Sequence, residues 1–314
     1  MPYTEAVVPL DEEHIFDGKV ALVVGGASGT GEAITRALAL RGAQVLFTSR
    51  SPEKLEQMQR ASSFSQSLLP LVLDVTKTSH IRQIKELLDN SNIQPDFLVL
   101  SSAGGLEKLM RPILKYLINL KRLKPAERAD KLKEFDSFIT QQIEQHQVHQ
   151  HAIAVNFQGN VNVFEALVPH LAEGAEVVYI SSGPSSFAEI SGIPSFYHWV
   201  AYTKRMFELH LAGRSVQLSE RGIRASIVTG GLLADTKMGE LLITGLSFLG
   251  DNHLFPDGYE FPTTADMAKA ATEVLGGSHR VELGIPYYRY VVGRGDIQDQ
   301  VDPHDPRINF PRIF

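Results

Sequence analysis

The segment Gly25-Gly26-Ala27-Ser28-Gly29-Thr30-Gly31 follows an apolar run from Val20 to Val24 and leads into a helical pattern. A strand, a glycine turn and a helix N-terminus in that order set backbone N–H groups and the positive helix end against a pyrophosphate. Glycine is needed because a Cβ would block that approach or the close packing of helix on strand. At the end of the next apolar run stand Ser49, Arg50 and Ser51. A carboxylate there would bind the ribose hydroxyls of NAD, whereas an arginine pairs with a 2′-phosphate. The expected cofactor is NADP(H), the alternative for Arg50 being a solvated surface charge.

The elements that must position these groups follow a regular rhythm from Gly18 onward: KVALVV, EAITRALALRG, AQVLFTS, PEKLEQMQR, PLVLDV, IRQIKELLDN, DFLVLSS. Short β-rich runs alternating with helices of this length imply βαβ units, since a parallel neighbour needs a crossover. The fold expected is α/β, a Rossmann-type doubly wound parallel sheet. The rhythm breaks after Gly105, and residues from about 106 to 150 read as a helical insertion. It resumes with HAIAVNFQGNVNVFEALVPHL as a helix, EVVYISS and RASIVTGG as strands, a helix around Tyr202 to Glu220 between them, and a last strand in YYRYVVG. Residues 1–17 and 301–314 read as extensions of one domain spanning 18–300.

Composition narrows the functional class. The chain has 314 residues, 43% of them hydrophobic and 21% charged, with a formal net charge of −6. That is an ordinary globular balance, and the acidity argues against a general nucleic-acid binder. The absence of Cys removes disulfides, thiolate metal sites and Cys nucleophiles. The apolar runs are strand-length, short of a membrane span, and the N-terminus lacks a signal-peptide pattern, so a cytoplasmic location is expected.

The spacing of Gly25, Gly29 and Gly31, G-x-x-x-G-x-G, resembles the short-chain dehydrogenase/reductase family, and the resemblance runs from about Gly18 to Val292. It implies further roles. Asp74 and Val75 match the family's adenine-contacting position. Ser101-Ser102-Ala103-Gly104 stands where Asn-Asn-Ala-Gly is usual, so Ala103 and Gly104 are kept and two amides are lost. Asn156 and Ser182 match the catalytic Asn and Ser. Thr229-Gly230-Gly231 replaces the Pro-Gly beside the nicotinamide, and Thr236 matches a Thr near its carboxamide. Lys204 matches the catalytic Lys, binding the nicotinamide ribose. Four positions earlier, where the family's Tyr is expected, stands Val200.

Tyr197 lies seven positions before Lys204, a Y-x6-K that resembles the family's divergent branch containing the enoyl-acyl-carrier-protein reductases, with Val200 in place of Met. Seven residues of helix span about 10 Å, so Tyr197 must sit at or before the helix start to share a substrate with Lys204. Tyr202 is the competing acid, two residues from Lys204 and so on another helix face. The resemblance implies hydride transfer from NADPH, with Tyr197 as proton donor, Ser182 orienting the oxygen and Asn156 supporting a proton relay. Either a C=C conjugated to a carbonyl (enone or enoyl thioester) or a ketone fits. A catalytically silent NADP(H)-binding sensor or scaffold is the alternative of another class, and non-redox elimination a third. The family's habit implies a homo-oligomer, dimer or tetramer.

Between Lys108 and Lys133 nine basic residues meet two acidic ones. This patch suits a carrier-bound acyl substrate, a CoA phosphate or an anionic surface, or else a solvated helix face, while its apolar residues suit a lid or an oligomer contact. His146, His149 and His151 lack a partnering carboxylate motif, and no metal is expected.

Overall fold

The computed structural model describes residues 14–189, 193, 195–249, 255, 258–277, 283–305 and 307. Most of the expected N-terminal extension and the end of the C-terminal tail lie outside these residues. The strands are β1 (Val20–Val24), β2 (Gln44–Ser49), β3 (Leu68–Val72), β4 (Phe97–Leu100), β5 (Glu176–Ile180), β6 (Arg224–Gly230), β7 (Tyr287–Gly293) and β8 (Asp296–Gln298). Among the described residues they form one sheet in the order β3-β2-β1-β4-β5-β6-β7-β8, parallel up to β7 and closed by antiparallel β8. β1 pairs with β2 on one side and β4 on the other, so the chain reverses its winding direction at β1. This is the doubly wound Rossmann-type sheet, with an antiparallel edge strand that the sequence pattern did not indicate.

The helices between β1 and β4 are α1 (Gly29–Leu40), α2 (Pro52–Arg60) and α3 (Thr78–Ser91). Between β4 and β5 come α4 (Met110–Lys121), α5 (Pro125–Lys133), α6 (Phe135–Gln145), α7 (Val148–Ala152), a π-helical turn at Ile153–Gly159 and α8 (Asn160–Leu167). Then follow α9 (Gly183–Ser186), α10 (His198–Ser219), α11 (Lys237–Leu249) and α12 (Thr264–Leu275). Alternate β1 residues feed two cores. Ala21 and Val23 pack with α1, α2 and α12 on one face, and Leu22 and Val24 with α3, α8 and α10 on the other. Burial on both faces is why the strands read as unbroken apolar runs.

The insertion builds a third, smaller core. Leu109, just before α4, and Ile113, Leu117 and Leu120 on one side of it meet Phe135 and Ile139 of α6, and Phe196 and Tyr197 pack in this cluster. At about 1.5–3 kcal/mol per fully buried aliphatic side chain, that stripe anchors the insertion beside the start of α10. Phe16, within the expected N-terminal extension, is docked: its ring meets Phe97 edge-on at 5.2 Å, and its N–H donates to Arg41 O at 2.9 Å.

Candidate active site

The glycine turn joins β1 to α1 at the C-terminal edge of the sheet. Gly25 has φ +80°, a left-handed value that disfavours a side chain, and its N–H donates to Thr48 Oγ1 at 3.1 Å. A Cβ on Gly31 would lie 2.1 Å from Gly25 O. The helix can start this close to the strand only with glycine there. Ser28 precedes α1 without capping it by its side chain, so the first-turn N–H groups at Gly29, Thr30 and Gly31 are left to an incoming anion. These residues fit a pyrophosphate.

After β2, Ser49 and Ser51 are occupied locally. Ser51 N–H donates to Ser49 Oγ at 3.1 Å, and Ser51 Oγ accepts from Lys54 N at 3.3 Å, capping α2. Arg50 projects between them, its Nη2 3.7 Å from Glu107 Oε1. Asp74 accepts from Thr76 N and Oγ1 at 3.0 and 2.7 Å. Partial burial opposes ionisation, but those bonds and the charges of Lys77 and Arg50 hold its carboxyl below the usual range. Val75 is buried under the π-helical turn, where a Cβ on Gly159 would come within 2.6 Å of it.

Asn156 sits in that turn, fully buried. Its Oδ1 accepts from Gly104 N at 2.7 Å, and its Nδ2 donates to Gly104 O at 3.0 Å and to Thr203 Oγ1 at 3.1 Å. The π geometry breaks the helix expected as continuous here, and the amide so presented clamps the loop after β4. Ala103 is exposed on that loop and Gly104 is buried against His151.

Ser182 follows β5 at the start of α9, and Tyr197 is the residue immediately before α10. Tyr197 OH donates to Ser182 Oγ at 3.0 Å. The displaced Tyr thus reaches the Ser because the helix begins one residue later, at His198. Burial pushes the Tyr197 phenol up, with the Ser182 hydrogen bond opposing. Val200 is buried in the core near Gly105. Tyr202 is 50% exposed, its ring 6.0 Å from that of His198, whereas the phenol bonded to Ser182 is that of Tyr197.

Lys204, only 7% exposed, donates from Nζ to Ile180 O at 2.9 Å and lies 5.8 Å from the centre of the Tyr179 ring. It does not hydrogen-bond to Tyr197. Desolvation pushes its ammonium down to about 8 against the pull of Glu208. Gly230 ends β6 against Met267, and Thr236 Oγ1 accepts from Gly239 N at 3.0 Å, opening α11. Thr229 Oγ1 is buried without a partner among the described residues.

Several residues were not singled out from sequence. Ser185 Oγ lies 2.6 Å from Ser182 Oγ, a turn contact that the three-residue spacing foreshadows. Asn160, one helical turn beyond Asn156, donates to Ser102 O at 3.2 Å. Glu208, 0% exposed and one turn beyond Lys204, accepts from Ser181 Oγ, from Ser186 Oγ at 2.9 Å and from Arg205 Nη1 at 2.9 Å. Burial pushes its carboxyl up, opposed by those donors. α10 therefore grips the Ser182 loop from both sides. Only the fold reveals that a glutamate on this helix points inward.

Residues 19–116 match the family model described as short chain dehydrogenase. An uncharacterised oxidoreductase of Staphylococcus aureus strain USA300 is 24% identical over 220 residues, covering 70% of this chain and 80% of its own. The Pseudomonas aeruginosa RhlG/NADP active-site complex superposes with a TM-score of 0.61 at 17% identity, covering 87% of this chain and 96% of the other. A Brucella melitensis 3-ketoacyl-(acyl-carrier-protein) reductase complexed with NADH does so with a TM-score of 0.60 at 20% identity, covering 88% and 98%. The family match covers residues 19–116, and over the greater part of its length the chain is similar to these oxidoreductases in sequence and to these dehydrogenases and reductases in fold.

Proposed function

We propose that this protein is an NADPH-dependent reductase acting on a carbonyl compound, either at a C=C conjugated to the carbonyl (enone or enoyl thioester) or at a ketone. The observation that carries this reading is the pairing of Tyr197 OH with Ser182 Oγ at 3.0 Å, two hydroxyls converging where a substrate oxygen would sit. A phenol pushed above its ordinary pKa stays protonated at neutral pH, which suits a proton donor and therefore the reductive direction. When bound, NADPH supplies the hydride. Ser182 orients the oxygen, Tyr197 donates the proton, Lys204 holds the nicotinamide ribose and Asn156 fixes the loop beneath it. Arg50, placed after β2, favours the 2′-phosphate. Both NADP and NADH appear in complexes of structural neighbours, so the preference rests on Arg50 itself.

The same reading includes a homo-oligomer in the cytoplasm. Trp199, Tyr202, Met206 and Leu209 are exposed at three- and four-residue spacing along α10, with Val216 exposed two turns further on, an apolar stripe that an isolated chain leaves in water. Among the described residues no helix is long and apolar enough to cross a membrane.

The test is NADPH oxidation with a panel of ketones, enones and enoyl thioesters, comparing wild type, Tyr197→Phe and Tyr202→Phe. Loss of turnover by roughly 10²–10⁴-fold in Tyr197→Phe alone is expected for removal of a general acid. The site of hydride incorporation then separates C=C from C=O reduction. Equal turnover in Tyr197→Phe, or tight NADPH binding with no turnover on the whole panel, overturns the assignment.

A further inference from the structure

We propose that Glu107 is a specificity-determining residue of the dinucleotide site: its carboxylate engages Arg50 as an internal counter-anion that a 2′-phosphate must displace. This rests on the NADP(H) reading of Arg50. The placement follows from topology. Arg50 leaves the C-terminal end of β2, Glu107 lies beyond the C-terminal end of β4, and β1 with its glycine turn runs between those two strands. The pair at 3.7 Å therefore crosses the crevice outside the carboxyl end of β1, where a dinucleotide lies in such sheets.

Glu107 is not a free surface carboxylate. Its Oε1 is 3.1 Å from His151 Nε2, and the imidazole is packed beside Gly104 on the loop that Asn156 clamps. His151 thus holds the acid over the crevice. On the β3 side the Arg50 charge also helps, after Thr76 and Lys77, to lower the Asp74 carboxyl, while the ion pair of the guanidinium is with Glu107. A phosphate arriving there gains Arg50 only by loosening its hold on Glu107, and it meets that acid's charge as well.

Arg50 and Glu107 are 63% and 42% exposed, which sets the scale. Solvent-exposed pairs are worth about 0.2–1 kcal/mol, so removing the competitor tightens phosphate binding by up to about fivefold. The experiment is calorimetric binding of adenosine 2′,5′-bisphosphate and of 5′-AMP, which differ only in the 2′-phosphate, to wild type, Glu107→Gln, Arg50→Ala and the double variant. Gln keeps the length of the side chain and its reach to His151 while losing the charge.

The expected result is a two- to fivefold rise in the bisphosphate-to-AMP affinity ratio in Glu107→Gln, with 5′-AMP binding unchanged and no rise in the Arg50→Ala background. An unchanged ratio in Glu107→Gln, where wild type already prefers the bisphosphate, overturns the proposal and leaves the NADP(H) reading standing. A ratio near one in wild type that rises in Glu107→Gln supports the proposal and reassigns the wild-type cofactor. A ratio near one in both overturns both. A rise that persists without Arg50 also overturns the proposal, since the effect would not run through the guanidinium.

Discussion

Replacing Lys204 by Met should change how stability responds to pH in a way that isolates one buried ammonium. The unfolded chain holds this proton with the ordinary lysine pKa of 10.5, whereas in the folded protein burial brings it down to about 8. Between those values the unfolded state carries more proton, so Lys204 makes stability rise with pH across that window. That depression corresponds to a folding cost of about 3 kcal/mol at pH 7, shrinking to about 1 kcal/mol at pH 9.5. With the side chain only 7% exposed, solvent screening does not reduce the figure much.

Methionine keeps an unbranched stem of similar length and removes the charge. It also leaves Ile180 O without its donor, at about 1–3 kcal/mol, but that loss does not depend on pH. The stability difference between Lys204→Met and wild type, measured by urea unfolding of cofactor-free protein, should therefore move by about 2 kcal/mol in favour of wild type between pH 7 and 9.5. Parallel curves would refute the idea that burial depresses this ammonium. The same physics bears on function: as pH rises through about 8, the Lys204 charge is lost and NADPH turnover should fall with it.

Gly31→Ala places a Cβ 2.1 Å from a backbone oxygen that has no room to give, so α1 must back away from β1. The expected loss is about 1–3 kcal/mol of stability together with the rise in melting temperature that the proposed NADPH binding should give wild type; a variant melting curve raised by NADPH as much as that of wild type would count against the cradle. Leu209 and Val216 are 54% and 64% exposed on the α10 stripe. Replacing both by Glu should convert an oligomer into monomer by light scattering without lowering monomer stability, and an unchanged mass would place any assembly elsewhere.

The glycine turn, the alternation of strands and helices, Arg50 at the second strand end and the Y-x6-K spacing are all local patterns. They were legible because their physics acts within a few residues: a turn needs glycine, a parallel strand needs a crossover, and seven helical residues span a known length. If Tyr197 and Lys204 serve one substrate, that spacing requires Tyr197 at or before the start of its helix, and the residue lies one position before it.

What the tertiary structure decided is everything that depends on which way a side chain faces. Glu208 reads as one more charge on a helix, and only the packing of α10 on β5 buries it under the Ser182 loop. The π-helical turn that aims Asn156 at Gly104 has no signature in VNFQG, because one extra residue in a helix ladder is fixed by what packs beside it. β8 is three residues long and forms only because the β7 edge is there to pair with. Arg50, Glu107 and His151 come from three separate segments, and the sheet order that brings them over one crevice is not written in any of them.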